Sequence, residues 1–263
     1  MPDRKALDVL VRNRTRAFLL AFSCAGLLLT GCSAGPGTGG APDPANAPRA
    51  TASPRGQAGA QVKKADAGVI RGLGPITSSR VPADTRQALV VTGAGVDSSI
   101  ASAVLYQREA GRPWAPVAGP WPAHNALRGW TDDHVVDDLR SPVGVFSLGD
   151  AGGRLPNPGT KLPYDQDEQF TESGIGFLGE SLEGSFNYVV AIDYNRIPGT
   201  SPLDRNRPEG EEKGGGIWIH VDHGGPTRAC VSLEQPHMED LLLRLDPARN
   251  PVIVMGDVAS LVR

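Results

Sequence analysis

Gly216-Ile217-Trp218-Ile219-His220-Val221-Asp222-His223-Gly224-Gly225-Pro226-Thr227-Arg228-Ala229-Cys230-Val231-Ser232-Leu233 is the stretch on which the fold and the chemistry both turn. Gly216–Val221 is an apolar run that delivers one histidine, His220, and reads as a strand. A Gly-Gly-Pro loop follows, because Gly and Pro interrupt regular structure. A turn of small residues then carries Cys230, ten residues after His220. A thiol nucleophile needs an imidazole to take its proton and backbone N–H groups to hold an oxyanion. His220 can supply the first, and the Thr227-Arg228-Ala229 turn the second. Each residue also has a plainer reading. Cys230 can be a small buried hydrophobe, and His220 a packed core histidine. His223 is a second candidate base, although on a regular strand it faces away from His220.

Outward from this stretch, short β-like runs recur between turn signals: Gln87–Thr92, Ala101–Arg108, Val143–Leu148, Phe186–Ile192 and Pro251–Met255. One helix is predicted near the end. Met238, Leu241, Leu242 and Leu245 fall at i, i+3, i+4 and i+7, and Asp246-Pro247 closes it. The chain has 33 Gly and 23 Pro in 263 residues, about a fifth of the total against about 12% in average usage. A mainly helical protein is incompatible with that content. The expected class is α+β and β-rich, with one or two short helices. A net charge of −3 excludes the electrostatic footprint of a nucleic-acid binder. The sequence contains no P-loop, no H-E-x-x-H and no G-x-S-x-G; Gly179-Glu180-Ser181-Leu182-Glu183-Gly184 has the wrong spacing for the last.

The first 31 residues read as a targeting segment. Five basic residues, from Arg4 to Arg16, precede the apolar run Ala17–Leu29. Thirteen residues are too few to cross a bilayer comfortably and match a signal-peptide core. The run ends Leu29-Thr30-Gly31-Cys32, which resembles a bacterial lipobox with Cys32 as the lipidated residue. Removing 1–31 leaves 21 basic and 27 acidic residues, a formal charge of −6, so the lipid and not charge would hold the protein to a membrane. Residues 33–60 contain no Val, Ile, Leu, Met, Phe, Trp or Tyr and are predicted to be a disordered tether. The expected organisation is a lipoprotein signal peptide over 1–31, an Ala/Gly/Pro-rich tether over 32–66 and one domain over 67–263. Cys24 leaves with the signal and Cys32 carries lipid, so Cys230 is the lone thiol of an extracytoplasmic domain.

The His220–Cys230 stretch resembles the catalytic signature of the YkuD-type L,D-transpeptidases. There a strand-borne His precedes a Ser/Thr-x-Gly-Cys turn, and here Thr227 takes the Ser/Thr place, Cys230 the nucleophile and His220 the base. Ser141-Pro142-Val143-Gly144-Val145-Phe146-Ser147-Leu148 is similar to the family's (T/S)PxGxF strand. Asn157–Tyr164 and Ile192–Arg196 are similar to segments of its actinobacterial secreted members. The likeness covers roughly 85–257. Arg228-Ala229 departs from the His-Gly that many members carry before the Cys, and Arg228 is placed to lower the thiol pKa by its charge.

The resemblance implies a β-sandwich domain and cysteine acyl transfer on peptidoglycan stem peptides. A Cys230 thioester and a 3→3 cross-link would result, with no metal or organic cofactor. It suggests Tyr164, Tyr194 and Asn195 as substrate contacts, and packing or turn roles are their alternative. Glu209–Lys213 is read as part of a mobile loop between Pro202 and Gly216, able to act as a lid over Cys230. The expected partners are stem peptides and, through the lipid, a membrane, with no nucleic acid and a monomeric state. A cell-wall-binding lipoprotein with a decayed site stands as the alternative. So does a zinc hydrolase using His220, His223 and Cys230, provided the strand breaks after His220. Trp114, Trp121 and Trp130 are read as packing, and His124, His134 and His237 as surface residues.

Overall fold

The computed structural model describes residues 68–263, all within a unit running from Ala60 to Arg263. The signal segment, the tether and Cys32 lie outside the described residues. In chain order the elements are α1 (Pro75–Ser79), β1 (Gln87–Gly93), β2 (Ile100–Gln107), β3 (Ala115–His124), β4 (Trp130–Thr131), β5 (Ser141–Pro142), β6 (Gly144–Ser147), β7 (Ala151–Gly153), β8 (Tyr164–Gln166), β9 (Val189–Ala191), β10 (Trp218–Val221), β11 (Val231–Leu233), α2 (Gln235–Arg244), β12 (Val252–Asp257) and α3 (Val258–Leu261). The fold is α+β and mostly β. Three helices form where one or two were expected, but α1 and α3 are single turns of five and four residues.

Ten strands form one curled sheet in the order β6-β12-β1-β2-β3-β11-β10-β9-β7-β8, and β4-β5 make a separate pair. The expected sandwich has two sheets; here the ladder is continuous. The link is narrow: β3 meets β11 only at His124↔Ser232 and Ala123↔Leu233. β3 had no strand signal, because Pro116, Pro120 and Pro122 interrupt it. Those prolines sit where β3 has β2 as its only neighbour, so their missing N–H groups leave no ladder bond unmade on the other side.

The parallel pair β1 and β12 is buried on both faces, which accounts for its near-continuous apolar sequence. Leu89, Val91, Ile253 and Met255 enter the main core, while Ala88, Val90, Val252 and Val254 join Ile70, Leu73 and Leu261 in a second cluster. The alternation follows from the two-residue period of a strand. The predicted helix is α2, and its Met238, Leu241 and Leu242, with Leu245 just beyond, are fully buried in the main core.

What positions the site is the connection from β10 to β11. These neighbours are parallel, with Ile219↔Val231 and His220↔Ser232 in register. A tight turn cannot join parallel strands. The chain therefore leaves the sheet after Val221 and runs back over residues 222–230 to re-enter beside Ile219, toward the end at which β10 began. Every candidate residue downstream of His220 rides on that return.

Candidate active site

The return loop is pinned by backbone bonds. Asp222 N–H donates to Leu233 O (2.7 Å), Thr227 N–H to Asn125 O (3.0 Å) and Leu127 N–H to Thr227 O (3.0 Å). The buried Thr227 hydroxyl donates to Cys230 O at 2.7 Å, and Ser141 Oγ donates to the same oxygen at 3.3 Å. Ser141 also accepts the Ala126 N–H at 3.0 Å. Two hydroxyls thus fix the carbonyl of Cys230 and with it the angle of the turn. Because the Thr227 amide is spent on Asn125, it cannot serve an oxyanion. The amides of Arg228, Ala229 and Cys230 donate to no acceptor among the described residues, which leaves three consecutive N–H groups at the nucleophile's turn.

Cys230 is half-buried. Trp218 N–H donates to its Sγ at 3.4 Å, and the thiol donates toward Gly216 O at 3.9 Å. Burial pushes the Cys230 thiol up to about 11, against the smaller opposing effect of the Trp218 amide. Arg228 contributes nothing to that shift, contrary to expectation: it is exposed, with its guanidinium 5.9 Å from the centre of the Phe177 ring.

His220 is buried, and its Nδ1–H donates to Val221 O at 2.9 Å. That bond places the ring proton on Nδ1 and leaves Nε2 as the basic atom. Burial drives the His220 pKa down to about 4, so the ring is neutral at pH 7. Phe186 packs edge-on against it, with centroids 5.4 Å apart. His223 does not face away. The strand ends at Val221, Gly224 turns the chain with φ of 82°, and the His223 ring stacks on His220 at 5.8 Å with an 11° tilt. The strand break that a zinc site required is present, yet no group of three His, Cys, Asp or Glu side chains has metal-binding geometry among the described residues.

Behind the loop, Asp222 accepts hydrogen bonds from Ser232 Oγ (2.5 Å) and His124 Nδ1 (2.8 Å). Burial opposes the charge on Asp222, but these two bonds outweigh it and hold the carboxyl at about 2. His124 is therefore a partner of the loop and not a free surface residue. His134 is also buried, edge-on to Tyr194, and His237 stacks on Trp121.

Cys230, His220, His223, Thr227 and Arg228 line one cavity of about 200 Å³. Its opposite wall is Glu172, Ile175, Gly176, Phe177, Leu182, Ser185 and Phe186. Part of this wall is a small hairpin, Gly174–Leu182, closed by Gly176 N–H to Glu180 O (2.8 Å) and Leu182 N–H to Gly174 O (3.1 Å). The sequence did carry a signal for it: Gly174-Ile175-Gly176-Phe177-Leu178-Gly179 spaces apolar residues with glycines, a turn pattern with an apolar tip.

Tyr164, Tyr194 and Asn195 lie elsewhere. Tyr164 donates to Leu155 O, and Tyr194 to the carbonyls of His134 and Lys213. Asn195, in the left-handed region at φ 43°, donates to Gly210 O and Gly214 O and accepts from Glu209 N–H. None of the three lines the cavity. Tyr194 and Asn195 fasten the 209–214 segment down, so the segment read as a lid is tied to the scaffold and the hairpin covers Cys230 in its place. Ala229 packs against the main core, and the three tryptophans lie outside the cavity.

No protein-family model matches the sequence, and no curated protein matches it either.

Proposed function

We propose that the protein is a cysteine acyltransferase of the L,D-transpeptidase type. It would act on peptidoglycan stem peptides outside the cytoplasm, anchored through lipid on Cys32. The observation that supports the reading is that Cys230 and a tautomer-fixed His220 line one cavity, His220 on β10 and Cys230 on the turn that enters its parallel neighbour β11.

The chemistry follows from the resting charges. With the thiol raised and the imidazole lowered, the pair rests neutral, so no thiolate waits for substrate. Sγ attacks the carbonyl carbon of the third stem residue while His220 Nε2 takes its proton. The new oxyanion is held by the free amides of Arg228, Ala229 and Cys230. The C–N bond to D-Ala breaks, and the leaving amine takes the proton from His220. A side-chain amine of a second stem then gives a proton to Nε2 and attacks the thioester, which releases the 3→3 cross-linked product and restores the thiol. No electrons are exchanged with a cofactor.

The raised thiol also favours a second reading, a wall-binding protein that no longer turns over. One experiment separates them. The full chain is incubated with a stem tetrapeptide ending in D-Ala, or with a carbapenem, and its intact mass and D-Ala release are measured. Acylation at Cys230, lost in Cys230→Ala and strongly slowed in His220→Gln, is expected. Tetrapeptide binding without adduct or D-Ala release would replace the enzyme by the binding protein.

A further inference from the structure

We infer that Glu180 and His223 form a latch that holds the Gly174–Leu182 hairpin over the Cys230 cavity and fixes the ring of His220 from behind. Both are then positioning residues for acyl transfer. The inference rests on the proposed role of Cys230 and His220 and extends it to two side chains with no part in bond making.

The hairpin has little reason to lie where it does through burial alone. Ile175 on its stem and Leu178 at its tip are 75% and 71% exposed, so the hydrophobic effect does not seat them. Its polar contact to the return loop is Glu180. The Glu180 side chain turns inward, 13% exposed, and its Oε1 lies 3.2 Å from Nδ1 of His223, itself 6% exposed. Each of these two atoms is buried and meets hydrogen-bond geometry with no partner among the described residues, the other included, so the two stand as a close polar pair enclosed between hairpin and loop. The other carboxylate oxygen accepts the Leu178 N–H at 2.7 Å, which ties the side chain to its own hairpin. Backbone amides, the hairpin's own included, and the His223 ring hold the Glu180 carboxyl below its usual range.

The chain is shaped to receive this carboxylate. A Cβ on Gly225, in the return loop, would lie 2.0 Å from Glu180 Oε1, and one on Gly176, in the hairpin, 2.1 Å from it. Glycine on both sides leaves the only space in which the carboxylate can lie between hairpin and loop. From His223 the contact continues by parallel stacking to His220, which Phe186 meets edge-on and whose Nδ1–H is held by Val221 O. Losing the Glu180 contact frees the His223 ring to turn. It then removes both the hairpin's anchor and one wall of the slot that orients Nε2.

The test uses the full chain with Glu180→Ala and, as a variant that displaces the carboxylate without removing its charge, Gly225→Ala. Hydrogen exchange at Gly176 and Leu182, iodoacetamide labelling of Cys230 and D-Ala release are measured on each. Both variants should raise hairpin exchange and Cys230 labelling by about tenfold. Both should lower kcat more than they raise KM, and His223→Gln added to Glu180→Ala should change little further. A Glu180→Ala protein too unstable to assay leaves Gly225→Ala to decide. Unchanged exchange and labelling in the variants overturn the latch even where the wild type turns over. Faster exchange and labelling with a wild type that releases no D-Ala overturn the positioning role and the acyl-transfer reading, while leaving the hairpin contact itself in place.

Discussion

At neutral pH Cys230 holds its proton and His220 lacks one, because burial costs the charged form of each, fully for His220 and in part for Cys230. That has a thermodynamic signature. An unfolded His takes a proton near pH 6.5, whereas folded His220 resists until about 4. Between those values the unfolded state binds more protons, so stability falls as pH falls, by on the order of 3 kcal/mol in total. Urea unfolding at pH 7 and pH 4.5 should show this loss in the wild type and a clearly smaller one in His220→Gln. Equal losses would mean that His220 is solvated. Asp222, held at about 2, gives its own loss lower, as pH falls below about 4, and leaves this window clear. Thr227 allows a second expectation. Thr227→Val removes the donor to the Cys230 carbonyl and should destabilise the fold by about 1 kcal/mol. It should also slow acylation of Cys230 out of proportion to that loss, because the turn angle is set there. Thermal melts and adduct formation, read together, check both halves.

Among the elements, α2 shows how burial converts a sequence pattern into stability. Leu241 is fully buried in the main core, while Leu243, two residues on, is 52% exposed. Leu241→Ala should therefore destabilise by about 2–5 kcal/mol, and Leu243→Ala by well under about 1 kcal/mol. Chemical denaturation of the pair measures the difference, and similar values for both would mean that α2 does not dock through this face. The β10–β11 connection shows the opposite dependence. Its shape comes from strand direction and not from its own residues, since a parallel pairing forces nine residues back from the end of β10 to the level of its start.

At the scale of the whole chain, the proposed membrane attachment falls on Cys32, outside the described residues. No described helix is long and apolar enough to cross a bilayer. The proposed lipid attachment rests on the sequence order Arg4–Arg16, Ala17–Leu29, Leu29-Thr30-Gly31-Cys32. Cys32→Ala should abolish lipid labelling and move secreted protein from the membrane pellet to the supernatant. Labelling that persists in the variant would reject Cys32 as the acceptor.

The β-rich class, the helix at Met238–Leu245, and the strands at Gln87, Ala101, Val143 and Pro251 could be read from the residues alone, and so could His220 and Cys230 as candidates that the fold places on one cavity. Each rests on a local signal: period, turn chemistry or spacing along one stretch. β3 could not, because three prolines mask a strand whose legality depends on which neighbour it lacks. Nor could the stacking of His223 on His220, which requires the strand to end at Val221. The hairpin wall over Cys230 and the Glu180–His223 contact join residues 43 positions apart, and no local pattern reports them. Tyr194 and Asn195 were legible as special but not as fasteners, since their partners lie on a distant loop. Periodicity and spacing act between neighbours in sequence and are printed in it. Burial, protonation and the covering of a cavity depend on which distant segments meet, and only the tertiary structure decides that.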